Sequence, residues 1–227
     1  MPELPEVETI RRGLAAAMEG RRLEHVTVNR GDLRRPLPAD FANRLEGRTV
    51  ERVGRRAKYL VIELDDQTVL LIHLGMSGHM VFDPAGDQAQ AGPYGRHEHV
   101  VFETGNGTRV RYSDPRRFGL MALISKAELP SHPLLAHLGP EPLGKEITGR
   151  FLVAAFHGRK TPVKAALLDQ TVIAGLGNIY VCESLFRAGI SPRRRAANVK
   201  GVRAGRLAPA IQEVLSDAIA AGGSTLR

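Results

Sequence analysis

The sharpest chemical signal in the chain is Pro2 followed at once by Glu3. Removal of Met1 would leave a secondary α-amine beside a carboxyl group. An α-amine titrates near about pH 8, so part of it is unprotonated and nucleophilic at neutral pH. A secondary amine that attacks a sugar C1′ forms a cationic iminium, the covalent strategy lysine uses in Schiff-base enzymes. Pro5, Glu6 and Glu8 also spell an ordinary helix start, because proline suits the first turn and carboxylates suit the positive end of the helix dipole. From these residues alone the helix start is the stronger reading.

Other stretches are unusual in ways that bear on chemistry. Asp114-Pro115-Arg116-Arg117-Phe118-Gly119 is a proline turn presenting two arginines and a phenylalanine. It makes a poor core element but a sensible wedge, since Phe can enter a base stack while Arg fills the hole or binds phosphate. His73-Leu74-Gly75-Met76-Ser77-Gly78 joins two strands through a glycine-bounded turn, with Met76 at its tip or folded back into the core. Two apolar groups on separate loops would offset the stacking lost when a base is exposed, a cost of a few kcal/mol. Gly175-Leu176-Gly177-Asn178 is no dinucleotide fingerprint, because Tyr180 occupies the third glycine position. It reads either as a plain Asn-capped connection or as a turn that aims free backbone N–H groups of the following helix at a phosphate, with Asn178 adding its amide. His97 and His99 flank Glu98; without a third ligand they read as surface histidines on one strand face, not a metal pair.

These residues need a scaffold. Val7, Ile10 and Leu14 recur at helical spacing over 6–19, with Gly20 as the stop. The period then changes to two, predicting strands near 23–29, 48–53, 58–64, 68–74, 78–83, 98–104, 107–112 and 118–124. Gly105-Asn106-Gly107 marks a tight hairpin, with Asn-Gly supplying positive φ angles. Residues 84–96 lack periodicity and are expected to form a mobile loop. Helices are predicted near 148–157, 163–169, 178–188 and 198–221. The fold class is therefore α+β: an N-terminal helix with an antiparallel β-sandwich, then a helical domain. The expected boundaries are 1–131 for the sandwich domain, 132–147 for a Pro/Gly-rich linker, and 148–227 for the helical domain.

The chain has 227 residues and a formal charge of +8. A surplus of this size points to a polyanionic partner. Its clusters, from Arg11-Arg12 and Arg55-Arg56 through Arg116-Arg117 and Arg159-Lys160 to Arg193-Arg194-Arg195, look like one surface built from many loops. Cys182 is the sole cysteine, which excludes an internal disulfide and any Cys-rich zinc site within these residues. No apolar run is long enough to span a bilayer, and the acidic N-terminus is no signal peptide.

Six stretches occur together in order: Met1–Glu6, Arg55–Leu60, His73–Gly78, Asp114–Gly119, His137–Pro142 and Gly175–Tyr180. Through them the whole chain resembles the bacterial formamidopyrimidine-DNA glycosylases, base-excision enzymes for oxidised purines. Leu4 resembles this branch, whereas the related endonuclease VIII branch has glycine there. The resemblance implies that Pro2 is the nucleophile, Glu3 the proton donor, and Glu6 a carboxylate that holds the terminus. It makes Lys58 a phosphate contact and elimination assistant. Met76, Arg116 and Phe118 match the intercalating trio, Arg116 reading the orphaned base, with His73 and Arg117 in the same DNA-contacting stretches. Lys164 and Asn178 match phosphate-binding positions of a helix–two-turn–helix module, and Glu183 matches an acid of the lesion pocket. Asn178 is thus reached both by helix-end physics and by resemblance.

The implied activity is removal of 8-oxoguanine and formamidopyrimidines through a Pro2 iminium, followed by β,δ-elimination at the abasic site. The implied partner is double-stranded DNA carrying an oxidised base, bound by a monomer with no membrane contact in the bacterial cytoplasm at the nucleoid. The family continues past Gly222-Gly223-Ser224-Thr225 into a base-capping loop and a four-cysteine zinc finger. No cofactor is expected within these residues, and one structural zinc only if such a finger lies downstream. Residues 1–227 alone are expected to bind DNA weakly and turn over little. Two alternatives stay open: an oxidised-pyrimidine glycosylase, and a nucleic-acid-binding protein without catalysis.

Overall fold

The computed structural model describes residues 1–86 and 95–223. Residues 87–94, the middle of the loop expected at 84–96, lie outside the described residues, as do residues 224–227. The chain forms two compact units, residues 1–2 with 7–132, and residues 3–6 with 133–227.

In the first unit, helix α1 (Leu4–Met18) turns Val7, Leu14 and Met18 into the core. Eight strands follow: β1 (Leu23–Val28), β2 (Val50–Arg56), β3 (Tyr59–Leu64), β4 (Thr68–His73), β5 (His79–Asp83), β6 (Glu98–Thr104), β7 (Arg109–Ser113) and β8 (Leu120–Ser125). They make two antiparallel sheets, ordered β1-β6-β7-β5 and β2-β3-β4-β8. Leu23 and Phe102 from the first sheet, with Leu60, Ile62 and Ile72 from the second, share one buried core. Alternate residues of the strands face that shared layer, and β4 is buried on both faces from Val69 to Ile72. A short helix α2 (Phe41–Leu45), which the periodicity did not predict, buries Phe41 and Leu45.

The topology has a local consequence. The segment after β4 crosses to β5 in the other sheet, and the segment after β7 crosses back to β8. His79 pairs with Ser113 at one end of these crossings and His73 with Leu120 at the other. The two crossing loops, 74–78 and 114–119, therefore run side by side.

The hairpin at 104–108 differs from its expected form. Gly107 has φ 82 but Asn106 does not adopt positive φ. The Gly107 N–H donates to the Thr104 carbonyl (2.7 Å) and the Asn106 Oδ1 accepts from Thr104 Oγ1 (2.7 Å). This is a type I turn closed by a left-handed glycine.

The second unit packs α3 (Gly149–Ala155), α4 (Val163–Leu168), α5 (Asn178–Arg187) and α6 (Val202–Ala220) around Leu152, Leu167, Val181, Leu207 and Ile211. The last helix starts four residues later than expected, because Ala196–Asn198 forms a 3-10 turn and Gly201 takes φ 58 before it. Residues 133–147 of the Pro/Gly-rich segment belong to this unit. Gly139 N–H donates to the Gln170 carbonyl (2.9 Å), Ala174 N–H donates to the Pro140 carbonyl (3.1 Å), and Ile147 is buried in the core.

Candidate active site

The carboxyl groups near the N-terminus are held by the helical unit to which residues 3–6 belong. Glu3 is only 3% exposed. Its Oε1 accepts from the Ile179 N–H (3.0 Å) and its Oε2 from the Tyr180 N–H (3.4 Å), both in the first turn of α5. The N-terminal turn of a helix has unpaired N–H groups and a positive dipole end, so it orients a carboxylate. The expectation that these N–H groups stand free for a phosphate is corrected here, since two are taken by Glu3. Asn178, the first residue of α5, remains exposed. Glu6 Oε2 accepts the Glu3 N–H (2.9 Å), the pattern of a capping box, and its Oε1 accepts the Tyr180 hydroxyl (2.5 Å). The glycines of Gly175-Leu176-Gly177 explain themselves by this packing. A Cβ on Gly177 would lie 2.3 Å from the Glu3 carboxyl carbon, and one on Gly175 2.7 Å from the Leu4 side chain. Pro2, covalently next to Glu3, is partly exposed.

Within the sandwich unit, Lys58 lies in the tight turn between β2 and β3 instead of on the strand expected at 58–64, and is 7% exposed. Ala57 before it holds a left-handed φ of 52, an uncommon conformation for a residue with a side chain. Across the β3–β4 pairing Tyr59 faces His73, with ring centroids 4.8 Å apart. Burial, then the charges of Lys58 and Arg34, push the His73 pKa down to about 4. The ring is therefore neutral at pH 7. Its Nδ1 accepts the Gly75 N–H at 3.0 Å, which leaves the proton on Nε2.

The crossing loops expose their apolar tips, Met76 at 42% and Phe118 at 43%. Of the two placements open for Met76, the structure shows the exposed tip. The Arg116 guanidinium carbon lies 4.8 Å from the Phe118 ring centroid, a cation–π arrangement. Arg117 turns the other way, its φ 56 sending its guanidinium to Asp32 Oδ2 at 2.6 Å.

Beside Arg117 is a cleft of about 240 Å³ lined also by Arg30, Arg96, His97, His99 and Pro115. Arg30, Arg96 and His97 were not among the sequence candidates. Arg30 and Arg96 stand outside the basic doublets of the chain, and only the fold gathers them beside Arg117. His99 also departs from expectation: it is buried, and its Nε2 is 2.8 Å from the Asp114 carbonyl. Part of the basic surplus is likewise internal, since Glu8 pairs with Arg11 (3.0 Å), Arg12 (3.1 Å) and Arg55 (3.2 Å). Burial raises the Glu8 pKa, but the hydrogen bonds and charges of Arg11, Arg55 and Arg12 outweigh it and leave the group below its ordinary value.

Lys164 sits partly buried at the start of α4, its N–H 3.4 Å from the Pro192 carbonyl. Glu183 is exposed on α5. Among the described residues no group of three or more His, Cys, Asp or Glu is placed to hold a metal ion, and no helix is long and apolar enough to cross a membrane.

One unit is a pair of antiparallel sheets, and the other holds a buried N-terminal carboxyl group on the first turn of a helix. The Formamidopyrimidine-DNA glycosylase N-terminal domain model matches residues 1–121, and the family's H2TH domain model matches residues 138–227. The formamidopyrimidine-DNA glycosylase of Ruegeria pomeroyi is 56% identical over 230 residues, covering 100% of this chain and 81% of the relative. That of Rhodospirillum centenum is 57% identical over 237 residues, covering 100% and 80%. Among solved structures, the Lactococcus lactis enzyme bound noncovalently to AP-site-containing DNA superposes with a TM-score of 0.89 at 31% identity, covering 98% of this chain and 84% of that one. The Thermus thermophilus protein gives a TM-score of 0.85 at 36% identity, covering 100% and 79%. The chain belongs to the formamidopyrimidine-DNA glycosylase family.

Proposed function

We propose that this protein excises oxidised purines from double-stranded DNA and cleaves the resulting abasic site, with Pro2 as nucleophile once Met1 is removed. The observation that carries this reading is the buried Glu3 carboxyl, fixed by two backbone N–H groups immediately after the would-be amine. The lone pair of the Pro2 nitrogen attacks C1′ of the extruded nucleotide. The glycosidic electron pair leaves with the base; Glu3 then protonates O4′, and the C1′–O4′ bond breaks as the nitrogen lone pair forms the C1′=N iminium. The iminium then acidifies C2′. Loss of that proton expels the 3′ phosphate, and a second elimination expels the 5′ phosphate. Hydrolysis of the iminium releases Pro2. Pro2 supplies the electron pair, Glu3 the proton for ring opening, and a water molecule enters in the last step.

In this reading Glu6 holds the Glu3 main chain, and Lys58 with the Nε2–H of neutral His73 holds a backbone phosphate. Met76 and Phe118 fill the vacated stack, and Arg116 meets the orphaned base. Arg117 and its cationic cleft take a neighbouring phosphate, as do Lys164 and Asn178 in the helical unit. Glu183 lines the lesion pocket. The solved relatives include complexes with 8-oxo-G-containing and abasic-site DNA, which supports the same substrate class for this chain. The exposed Met and Phe tips favour catalysis on an everted base over passive DNA binding.

Borohydride reduction tests the covalent step. Protein with a free Pro2 amine, incubated with duplex containing 8-oxoguanine or an abasic site, should yield a stable cross-link. Protein retaining Met1 should yield none. Absence of the cross-link from the processed protein would reject the proposal.

A further inference from the structure

Of the buried charged residues, Asp114 has no part in the chemistry described so far, yet it is 0% exposed. It lies where the two crossing loops meet. Its Oδ1 accepts the Ser77 hydroxyl at 2.5 Å, which reaches over from the Met76 loop. Its Oδ2 accepts the Gly119 N–H at 2.8 Å and the Tyr112 hydroxyl at 3.1 Å, from its own loop and from β7. Ser77 Oγ in turn accepts the Arg116 N–H at 3.1 Å, which closes a ring of hydrogen bonds between the loops. The main chain of Asp114 is tied as well: its N–H donates to the His97 carbonyl (3.0 Å) and its carbonyl accepts the Arg117 N–H (3.1 Å).

The loops also touch through bare backbone. A Cβ on Gly75 would lie 2.3 Å from the Phe118 carbonyl carbon and 2.5 Å from the Gly119 nitrogen. Met76 and Phe118 are thus carried by two segments that neither slide nor separate without breaking bonds to one buried carboxyl group. We infer that Asp114 is a positioning residue that locks the Met76 and Phe118 loops into a single rigid wedge. The inference rests on the proposal that these two tips enter the base stack. Rigidity matters there because an apolar plug offsets lost stacking only if it is already in place. A loop that must be ordered first spends part of that gain on conformational entropy.

Asp114→Asn in the full-length protein replaces an accepting oxygen by an NH2 group among donors. Single-turnover excision of 8-oxoguanine should fall by about tenfold or more, the scale of one buried hydrogen bond left unmade. Cleavage of a preformed abasic site, where no base has to be levered out, should fall several-fold less. Ser77→Ala, which removes the hydroxyl's two hydrogen bonds but leaves those of Asp114 to Gly119 and Tyr112, should shift the ratio of the two rates in the same direction by less. Independently of activity, hydrogen exchange at the Gly119 and Arg116 amides of the free protein should accelerate together in Asp114→Asn, and at Arg116 in Ser77→Ala. Equal losses on the two DNA substrates, or unchanged protection of these amides, would overturn the inference. If the unaltered protein cleaves neither substrate, the proposed function fails, while amide exchange still decides whether Asp114 locks the loops.

Discussion

Glu3 stays in place because the residue opposite it has no side chain. With Gly177→Ala, the new Cβ would meet the Glu3 carboxyl carbon at 2.3 Å and force it off the Ile179 and Tyr180 N–H groups. Overpacking of this kind costs about 1–3 kcal/mol. The variant should melt earlier and excise bases more slowly, with both effects read on the same preparation. His73 makes a second prediction at this scale. Its pKa is depressed to about 4 by burial and by the Lys58 and Arg34 charges. The unfolded chain therefore binds more protons than the folded one between pH 6.5 and 4. Its contribution to stability is full above about pH 6.5 and is lost as pH falls towards 4, by roughly 3 kcal/mol in total. Denaturant titrations across that window should show the slope, and His73→Gln should flatten it.

Among the elements, α6 was nearly legible in the sequence, because its apolar stripe repeats every turn and nothing distant had to be known. It also carries an avoidable weakness. Gly205 lies inside the helix, and a Cβ there meets nothing within 4 Å. Gly205→Ala should raise stability by about 0.5–1 kcal/mol, measured as a higher melting temperature with excision unchanged. The strands were legible from the alternation of two that a pleated strand imposes, although β4 is apolar and buried on both faces from Val69 to Ile72. The turns were less so. Lys58 reads as a strand residue by its neighbours, but the pairing of Arg56 with Tyr59 turns the chain at Ala57 and Lys58. α2 escaped detection because five residues are too few to show a period.

Charge belongs to the molecule as a whole. A net +8 predicts that DNA affinity falls steeply with salt, but the fold decides which cations are available. Glu8 holds Arg11 and Arg55 against the sandwich, and Asp32 holds both Arg30 (2.5 Å) and Arg117 (2.6 Å) beside the cationic cleft. Arg30 and Asp32 strengthen each other's charged forms, Arg30 upward and Asp32 downward from their ordinary pKa values. Asp32 thus competes with a DNA phosphate for two guanidinium groups. Asp32→Asn should tighten binding to undamaged duplex by about two- to fivefold at low salt, and the gain should vanish at high salt as exposed charges are screened. Fluorescence anisotropy titrations at two ionic strengths would measure it; equal affinities of the two proteins at low salt would refute it.

The sequence by itself determined the place of the Pro2 nitrogen beside a carboxyl group, the alternation of two that becomes a sandwich, and the loops bearing Met76 and Phe118. Each is a matter of neighbours along the chain, where spacing and residue type suffice. Only the tertiary structure decided that Glu3 rests on the first turn of α5, some 170 residues away in sequence. It alone showed that His99 is buried and that Arg30 and Arg96 join Arg117. It alone made Asp114 the knot between two loops. A hydrogen bond between remote segments leaves no periodic trace in either one, since each residue type is chosen for a partner that the local pattern does not contain. What began as a plausible helix start at Pro2 and Glu3 is a fixed carboxyl group because the other end of the chain supplies the N–H groups that hold it.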